Sequence, residues 1–435
     1  MSETSSKLTI IRGGRVIDPA NGVDALRDVF IRDGRIAAVD GKPPAGNDGE
    51  VEVINAAGLV VAPGLIDLHV HLREPGQSAK ETIESGARAA AAGGFTTVVC
   101  MPNTNPAADN PATITWIKER ARKACVNVFP TGAITKGLVG EELAPIGSMF
   151  NAGIVAITDD GHCVQNHDLM RRAVEYARMF DLPVLDHCQD YSLVGDGVMN
   201  EGYWSTVLGL PGWPAAGEEL IVLRNIVLAE LSGAAIHCQH LSCAGSVRHL
   251  REARARGVRI TGEVCPHHLA LTDESVKGYD THYKMNPPLR TRADIDALVG
   301  GIADGTVTVL ASDHAPHTAY EKEVEFDRAP FGILGLETEF GLFHQLLVEE
   351  HKAIALPRLI ELLTVNPARL LKLPDGRGTL STGAAADVTL IDPGLEWTVN
   401  VDQSKSRSRN TPFGGWRLKG RAVRTIVDGE TVWAL

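Results

Sequence analysis

The chain has 435 residues, of which 44% are hydrophobic and 22% are charged. This composition excludes a disordered protein, and the length exceeds one ordinary domain of ~100–200 residues. The net charge of −12 would repel nucleic-acid backbones and anionic membranes, so we expect neither as a partner. No apolar run reaches the ~18 residues of a membrane span, the N-terminus has no signal-peptide pattern, and the odd number of cysteines favours free thiols. These features together predict a cytoplasmic protein.

Both ends of the chain consist of short β-forming runs joined by tight turns. Gly13-Gly14, Asp33-Gly34 and Asp428-Gly429 each lie between such runs and predict hairpin turns, which need positive φ. We therefore expect residues 1–60 and 375–435 to pack together as one small β-sandwich domain.

Residues 61–374 alternate short buried runs with amphipathic helical stretches. Eight runs have this character: LIDLHVH, FTTVVCM, VNVFPTG, IVAIT, LPVLDH, AAIHCQH, VRITGEV and VTVLASD. The pattern predicts an α/β fold, a (β/α)8 TIM-type barrel, although a doubly wound open sheet would give similar alternation. In the first connecting helix, Ser78 and Glu81 fit a capping box and Gly93-Gly94 marks the end.

Polar side chains follow several of these runs at the point where each run stops. His69 and His71 alternate along an extended strand, so both imidazoles point to one side. Four other runs end in TDD, DHC, HCQH and SDHAPH. A single histidine after a strand is usually structural, but active sites of such barrels form where the carboxyl ends of the strands meet. Imidazoles and carboxylates gathered there suit a divalent cation such as zinc.

Five motifs resemble class I dihydroorotases of the amidohydrolase superfamily: DLHVHLREPG (67–76), MPNT (101–104), TDDG (158–161), KMNPPLR (284–290) and SDHAPH (312–317). The resemblance spans nearly the whole chain, including the divided β-domain. Alone, the HxH pair is typical of the whole superfamily, whereas REPG, MPNT and DHAPH in this order are far more specific.

The resemblance implies one or two Zn²⁺ ions, with two favoured. It assigns His69, His71 and Asp313 to one metal, His187 and His240 to the second, and Asp160 to both. It also implies a metal-bound hydroxide as nucleophile, with Asp313 as general base and then general acid. The reaction implied is the reversible cyclisation of N-carbamoyl-L-aspartate to (S)-dihydroorotate in de novo pyrimidine (UMP) biosynthesis.

Arg73 lies two residues beyond His71 and offers a planar fork for a substrate carboxylate. The family pattern implies further substrate contacts at Asn103, Asn286, His317, Phe331 and Gly332. The charged segment 318–330 is long for a barrel connection and is a candidate lid.

Some neighbouring residues compete for these roles. Asp159 rather than Asp160 is an alternative bridge, and Lys136 is an alternative as a carboxylated lysine, the bridge that many superfamily members use. Cys238 and Cys243 lack CxxC spacing and are interpreted as buried small residues. Five further histidines are interpreted as structural, exposed or outside the metal shell: His162, His237, His267, His268 and His314.

Two rival functions remain open from the sequence. One is another cyclic amidase, such as an allantoinase, whose substrate has no ring carboxylate for Arg73. The other is a non-catalytic, dihydroorotase-like partner of aspartate carbamoyltransferase, although such chains have lost metal ligands and this chain keeps all six. We expect a small-molecule substrate and a homodimer, and a complex with aspartate carbamoyltransferase is a further option.

Overall fold

The computed structural model describes residues 7–41 and 50–435, so parts of the predicted N-terminal β-segment (1–6 and 42–49) lie outside the described residues. The described chain mixes helices and strands, as the predicted α/β class requires. The strands are β1 Leu8–Asp18, β2 Val23–Arg32, β3 Arg35–Val39, β4 Val51–Asn55, β5 Val60–Pro63, β6 Leu65–Val70, β7 Phe95–Cys100, β8 Asn127–Pro130, β9 Val184–Asp186, β10 Met199–Asn200, β11 Gly212–Trp213, β12 Ile236–Cys238, β13 Ile260–Val264, β14 Val309–Leu310, β15 Val388–Thr398, β16 Arg417–Val427 and β17 Glu430–Ala434.

The helices lie mainly between the strands of the central part. They are α1 Ile83–Gly93, α2 Pro111–Ala121, α3 Ile146–Ala152, α4 His167–Met179, α5 Tyr191–Val194, α6 Tyr203–Leu208, α7 Ala216–Ser232, α8 Ala244–Ala255, α9 His267–Ala270, α10 Arg292–Ala303, α11 Ala319–Lys322, α12 Glu339–Phe343, α13 Leu356–Leu363 and α14 Val365–Leu371. None of the described helices is long and apolar enough to span a membrane.

The two ends of the chain meet in one eight-stranded sheet. Its order is β17-β16-β15-β5-β1-β2-β3, with β4 also paired to β1. The antiparallel pairing of β15 with β5 joins the C-terminal strands to the N-terminal ones. Hydrogen bonds thus run continuously through this sheet, and its description as a sandwich stays a prediction.

Two of the three predicted hairpin turns are present. Asp33-Gly34 joins β2 to β3 and Asp428-Gly429 joins β16 to β17, and all four residues have positive φ. The prediction for Gly13-Gly14 is wrong, because β1 continues through this pair. The β1–β2 register shifts between Ile11 and Gly14, so the glycines form a bulge, in which the Gly13 N–H donates to Asp28.

Parallel pairing links the central strands in two groups, β6-β7-β8 and β9-β12-β13-β14. Single bridges connect the groups: Gly132 and Val184 each pair with Ile157, and His314 pairs with Val70, the last residue of β6. The fourth predicted run therefore contributes only a bridge at Ile157 rather than a regular strand. Followed from β6 through β14, the pairings return to β6.

The first connecting helix has the buried face that the sequence predicts, but a different cap. Thr82, not Ser78, is the N-cap, and its capping-box partner is Ser85. Glu81 instead turns inward and is buried, where it accepts hydrogen bonds from Ser85 and Ser406. The capping prediction therefore failed because Glu81 satisfies tertiary contacts that sequence spacing does not reveal.

The centre of the parallel strands is filled by side chains from several of them. This inner cluster contains Leu68, Val99, Met101, Ala156, Leu185, Val309 and Leu371. Directly after these apolar positions, the chain places polar side chains at the carboxyl ends of the strands. The candidate site therefore lies directly above this packed apolar interior.

Candidate metal centre and substrate pocket

One cavity of about 420 Å³ opens where the carboxyl ends of the strands meet. Its walls include all the predicted substrate contacts and every predicted metal ligand except His69. These lining residues are His71, Arg73, Asn103, Asp160, His187, His240, Asn286, Asp313, His317, Phe331 and Gly332. His69 lies just beneath, fully buried. The structure thus brings the predicted residues together, and their roles stay predictions.

Asp160 lies at the centre of the imidazoles. Its carboxylate oxygens are 3.1 Å from His69 Nε2, 3.3 Å from His71 Nε2, and 3.8 Å from both His187 Nδ1 and His240 Nε2. Asp160 Oδ1 is buried and has no hydrogen-bond partner among the described residues. One carboxylate therefore touches both halves of the cluster, as a bridging ligand must.

Asp313 closes the cluster from the other side. Its Oδ1 is 3.1 Å from His71 Nε2 and 3.6 Å from His69 Nε2. Within this cluster, two groups have donor atoms close enough to share an ion, namely His69–His71–Asp160 and Asp160–His187–His240. The two groups meet at Asp160.

The outer nitrogens of three imidazoles are held by oxygen acceptors. The pairs are His69 Nδ1 with Glu263 Oε1 at 2.5 Å, His71 Nδ1 with Asn103 Oδ1 at 2.8 Å, and His187 Nε2 with Gln189 Oε1 at 2.9 Å. Because these oxygens only accept, each outer nitrogen carries the proton. When these imidazoles are neutral, their inner nitrogens carry the lone pairs, which is the tautomer that binds metals.

The electrostatics of the cluster favour a positive charge at its centre. Burial lowers the pKa of His69, but Asp160, Glu263 and Asp313 outweigh it and raise that pKa well above its usual range. Lone pairs of imidazoles and carboxylates that face one another repel unless a cation lies between them. Nitrogen and carboxylate donors of this kind fit a borderline divalent metal.

The backbone is strained at three of the strand-end residues. Arg73, His240 and Asp313 have φ of 60°, 32° and 48°, in a region that non-glycine residues rarely adopt. Each such conformation costs about 1–3 kcal/mol and is typical of functional sites. All three side chains line the cavity.

Arg73 is a buried cation without an acidic partner. Its side chain donates from Nε to Pro316 O at 3.2 Å, and no carboxylate of residues 7–41 or 50–435 lies within ion-pair distance. Burial lowers its pKa to about 10, so the guanidinium stays charged at neutral pH. A buried cation that faces a cavity and has no carboxylate within ion-pair distance can bind an anionic ligand.

His317 stands next to Arg73 and is neutral. Burial, with a further contribution from Arg73, lowers the pKa of His317 to about 2. Its Nε2 donates to Phe331 O at 2.8 Å, so this histidine fixes the backbone that lines the cavity. Gly332, with φ of 127°, follows, and a Cβ there would lie 2.7 Å from the Cβ of Ala315. Only glycine fits at this position.

Asn286 faces the cavity with an unsatisfied oxygen. Its Nδ2 donates to Gln189 Oε1 at 3.1 Å, whereas its Oδ1 is buried and has no partner among the described residues. Gln189 thus orients both Asn286 and His187. The free carbonyl oxygen can accept a hydrogen bond from an N–H of a ligand.

The competing residues lie elsewhere. Asp159 points away from the cavity and accepts from the backbone N–H groups of Ile134 and Thr135, at 2.7 and 3.0 Å. Lys136 is exposed and pairs with Glu142 at 2.5 Å, far from a bridging position. The structure therefore places Asp160 in the lining of the cavity, whereas Asp159 and Lys136 do not line it.

The other histidines and cysteines show different surroundings. His237 is hydrogen-bonded to Glu263 and Thr261, and His314 to Glu81 and the Gly335 N–H. His268 is hydrogen-bonded to Pro287 O. His162 is exposed at the rim of the cavity. Cys238 and Cys243 are buried free thiols. A third group of potential ligands, Cys265, His267 and His268, is buried outside the cavity lining.

Sequence reasoning missed Glu263. Its buried carboxylate accepts from His69 Nδ1, from His237 Nε2 at 2.9 Å and from the His240 N–H at 3.1 Å. Burial raises its pKa, but His69 and His237 outweigh burial and lower it to about 2. A carboxylate inside an otherwise buried strand was the available signal, since such a charge needs partners.

Comparisons with known proteins agree with this geometry. Residues 58–246 match the family model described as dihydro-orotase-like, and residues 215–432 match the amidohydrolase family. A dihydroorotase from Syntrophotalea carbinolica is 54% identical over 430 residues, covering 98% of this chain and 99% of the relative. One from Pelotomaculum thermopropionicum is 54% identical over 423 residues, covering 97% and 98%.

Solved structures of the same fold are more distant in sequence. L-hydantoinase from Arthrobacter aurescens has a TM-score of 0.88 at 22% identity and covers 98% of this chain and 97% of its own. Dihydropyrimidinase from Brevibacillus agri has a TM-score of 0.85 at 24% identity, covering 98% and 95%. These two are similar in fold alone, whereas the sequence relatives decide the family. The chain belongs to the dihydroorotase family of the amidohydrolases.

Proposed function

We propose that this chain is an active dihydroorotase that interconverts N-carbamoyl-L-aspartate and (S)-dihydroorotate. The observation that carries the proposal is the pairing, at one cavity, of a six-residue histidine and aspartate cluster with the guanidinium of Arg73, which has no direct ion pair among the described residues. A cyclic amide that also bears a carboxylate fits both features. This reaction would place the chain in de novo pyrimidine synthesis, in the cytoplasm.

The architecture that we propose is a (β/α)8 barrel over residues 61–374 with a β-domain from residues 1–60 and 375–435. The parallel pairings that return from β14 to β6 support the barrel. The single sheet that joins β5 to β15 supports the shared β-domain.

The cluster would hold two zinc ions. His69, His71 and Asp313 would bind one, His187 and His240 the other, and Asp160 both. Four neutral imidazoles and two carboxylates leave a net positive centre with two dications, which attracts anionic substrates. Bound there, the ions would lower the pKa of a water molecule and polarise the amide carbonyl.

Arg73 would bind the carboxylate that dihydroorotate carries on its ring. Its guanidinium offers two parallel N–H donors, the geometry that matches a carboxylate. Asn103, Asn286 and the backbone of Phe331 and Gly332 would contact the rest of the ring, with the free Asn286 Oδ1 accepting from a ring N–H. Such contacts hold the amide in one orientation beside Asp313.

Asp313 would move the proton. Burial raises its pKa, but His69 and His71 outweigh burial and hold that pKa well below its usual range, so the carboxylate is ionised and ready to accept. In ring opening it takes a proton from the attacking water and gives it to the departing amide nitrogen. In ring closure the same residue works in the opposite order.

The apolar stripe on the outer face of α7 supports a homodimer. Leu220, Leu223, Val227 and Leu231 follow helical spacing and are all exposed. Light scattering of the purified protein, with Val227→Glu as the variant, tests this proposal. Association with aspartate carbamoyltransferase is a separate proposal, which co-purification tests.

Assays with a panel of cyclic amides test the proposed reaction. We expect turnover of dihydroorotate and none of allantoin or hydantoin, because neither offers a carboxylate to Arg73. Turnover of allantoin at a higher kcat/KM than dihydroorotate would make the chain an allantoinase. No turnover of any of them by metal-loaded protein would favour the non-catalytic partner.

A further inference from the structure

Two buried lysines connect the segments that line the cavity on one side. Lys322 lies in the segment 318–330, and its side chain is 2% exposed. Its Nζ donates to three backbone carbonyls: Pro330 at 2.8 Å, Thr281 at 3.1 Å and Lys284 at 3.3 Å. Two of these carbonyls belong to the neighbouring segment 281–286, so Lys322 ties the two segments together.

Lys284 reaches in the opposite direction. Its Nζ donates to Asp327 O at 2.9 Å and lies over the ring of Phe331, 4.6 Å from the centroid. Lys284 is also 2% exposed. Each lysine therefore starts in one segment and ends in the other.

The two ammonium groups are unusual because carbonyls and aromatic rings, not carboxylates, surround them. No carboxylate among the described residues lies within ion-pair distance of either nitrogen, whereas other described lysines, such as Lys80 and Lys277, pair with glutamates. A buried cation is costly unless dipoles compensate it. Two such lysines lie close together in space beside the cavity, although an uncharged side chain would avoid the cost of burying a charge.

Both segments enter the substrate pocket directly after these contacts. Lys284 O accepts from Lys322 Nζ and also from the Gly332 N–H at 2.9 Å, so one carbonyl holds both groups. Pro330, which Lys322 binds, is followed by Phe331 and Gly332, and Asn286 lies two residues after Lys284. Moving the two segments apart would displace the lining on which Asn286 and Phe331 depend.

We propose that Lys322 and Lys284 form a reciprocal clasp that positions Asn286 and the Pro330–Gly332 segment for substrate binding. The inference rests on the proposed function and extends it with two positioning residues that do not touch the substrate. Because the clasp shapes the wall that binds the ring and not the metal cluster, it sets KM rather than kcat.

The charge of the clasp depends on pH near neutrality. Burial, followed by the nearby charge of Lys284, lowers its pKa to about 7, while Asp280 and Glu321 act in the opposite direction. Burial also lowers the pKa of Lys284 to about 8, against Asp327. The clasp therefore carries its full charge only below neutral pH.

The test is Lys322→Met, which keeps the length of the side chain and removes its charge and donors. We expect KM for dihydroorotate to rise about tenfold, with kcat within about threefold of the original and metal content unchanged. Lys277→Met is the matched control, because Lys277 is exposed and pairs only with Glu274, and it should leave both constants unchanged.

Lys284→Met and the double variant test reciprocity. Since either lysine alone cannot hold the clasp, the double variant should raise KM little more than each single one, whereas independent residues would give the product of the two effects. A KM in the double variant equal to the product of the two single effects would overturn the proposal. A fall in kcat with unchanged KM in the single variants would also overturn it.

Hydrogen exchange separates failure of the clasp from failure of the proposed function. In the substrate-free protein, amides of residues 318–332 should exchange faster in Lys322→Met than in Lys277→Met, whatever the reaction is. Lys284→Met is the second variant if Lys322→Met does not fold, because it removes the other half of the clasp, the bond from Lys284 Nζ to Asp327 O at 2.9 Å. Unchanged exchange and unchanged KM in that variant would refute the clasp.

Discussion

Arg73→Lys keeps a positive charge at the cavity wall but removes the flat pair of nitrogens that a carboxylate needs. The substituted side chain meets the same backbone, with φ of 60°, so the strain at this residue is not altered. Lysine also loses the bond from Arg73 Nε to Pro316 O at 3.2 Å, which orients the guanidinium. The change therefore isolates geometry from charge.

The magnitude follows from the missing counter-charge. Arg73 has no acidic partner among the described residues, so the substrate carboxylate would supply its main charge-assisted contact. Loss of one such hydrogen bond costs about 2–3 kcal/mol, which corresponds to about 30- to 150-fold in kcat/KM. Metal content should not change, because Arg73 is not a predicted ligand.

Steady-state kinetics with dihydroorotate, with metal analysis of the same samples, measure this effect. Arg417→Lys is the control, because Arg417 is exposed and pairs with Glu396 at 3.1 Å. Equal kcat/KM in Arg73→Lys and the original protein would refute the assignment of Arg73 to the substrate. A loss of metal in Arg73→Lys would refute the separation of the anion site from the metal cluster.

Four further predictions follow from the same geometry. Asp160→Ala should lose the second metal, because His187 and His240 alone hold a dication weakly, and the number of metal ions per chain measures this loss. Two metal ions per chain in this variant would contradict the assignment of Asp160 as the bridge. Glu263→Gln should weaken metal affinity about 10- to 100-fold in a chelator competition, since the acceptor of His69 loses its charge; unchanged affinity would contradict this role. Asp313→Ala should lower the rates of both ring opening and ring closure. In the original protein the rate of ring opening should rise with pH and the rate of ring closure should fall, because closure consumes one proton. Parallel pH–rate profiles for the two directions would contradict the proton assignment. As pH rises above about 7, Lys322 loses its charge, so KM should rise, and a KM that does not change with pH would contradict the clasp. Because folding lowers the pKa of Lys322, the free energy of unfolding should also rise between pH 7 and the unfolded pKa of about 10.4.

The sequence predicted the strand ends well because the alternation of apolar and polar residues is a local signal. His69 and His71 fall on one side of an extended strand by spacing alone, and Asp33-Gly34 forms its turn by local φ preference. The assignment of individual ligands needed the family resemblance, since spacing did not distinguish Asp159 from Asp160.

The failures involve partners distant in the chain. Gly13-Gly14 forms a bulge because β1 pairs with β2 on both sides of it, and Glu81 leaves its capping position because Ser406 is a buried partner. Glu263 and Lys322 act through residues far away in sequence, so no local pattern marks them. Tertiary contacts, not local preference, decide such positions.

Metal titration of the purified apoprotein, followed by dihydroorotate turnover, tests the central claim most directly. Zinc should restore activity in proportion to the metal bound, with full activity at two ions per chain and none in the metal-free protein. Zinc-loaded protein that turns over neither dihydroorotate nor N-carbamoyl-L-aspartate, with the metal bound at the predicted stoichiometry, would contradict it.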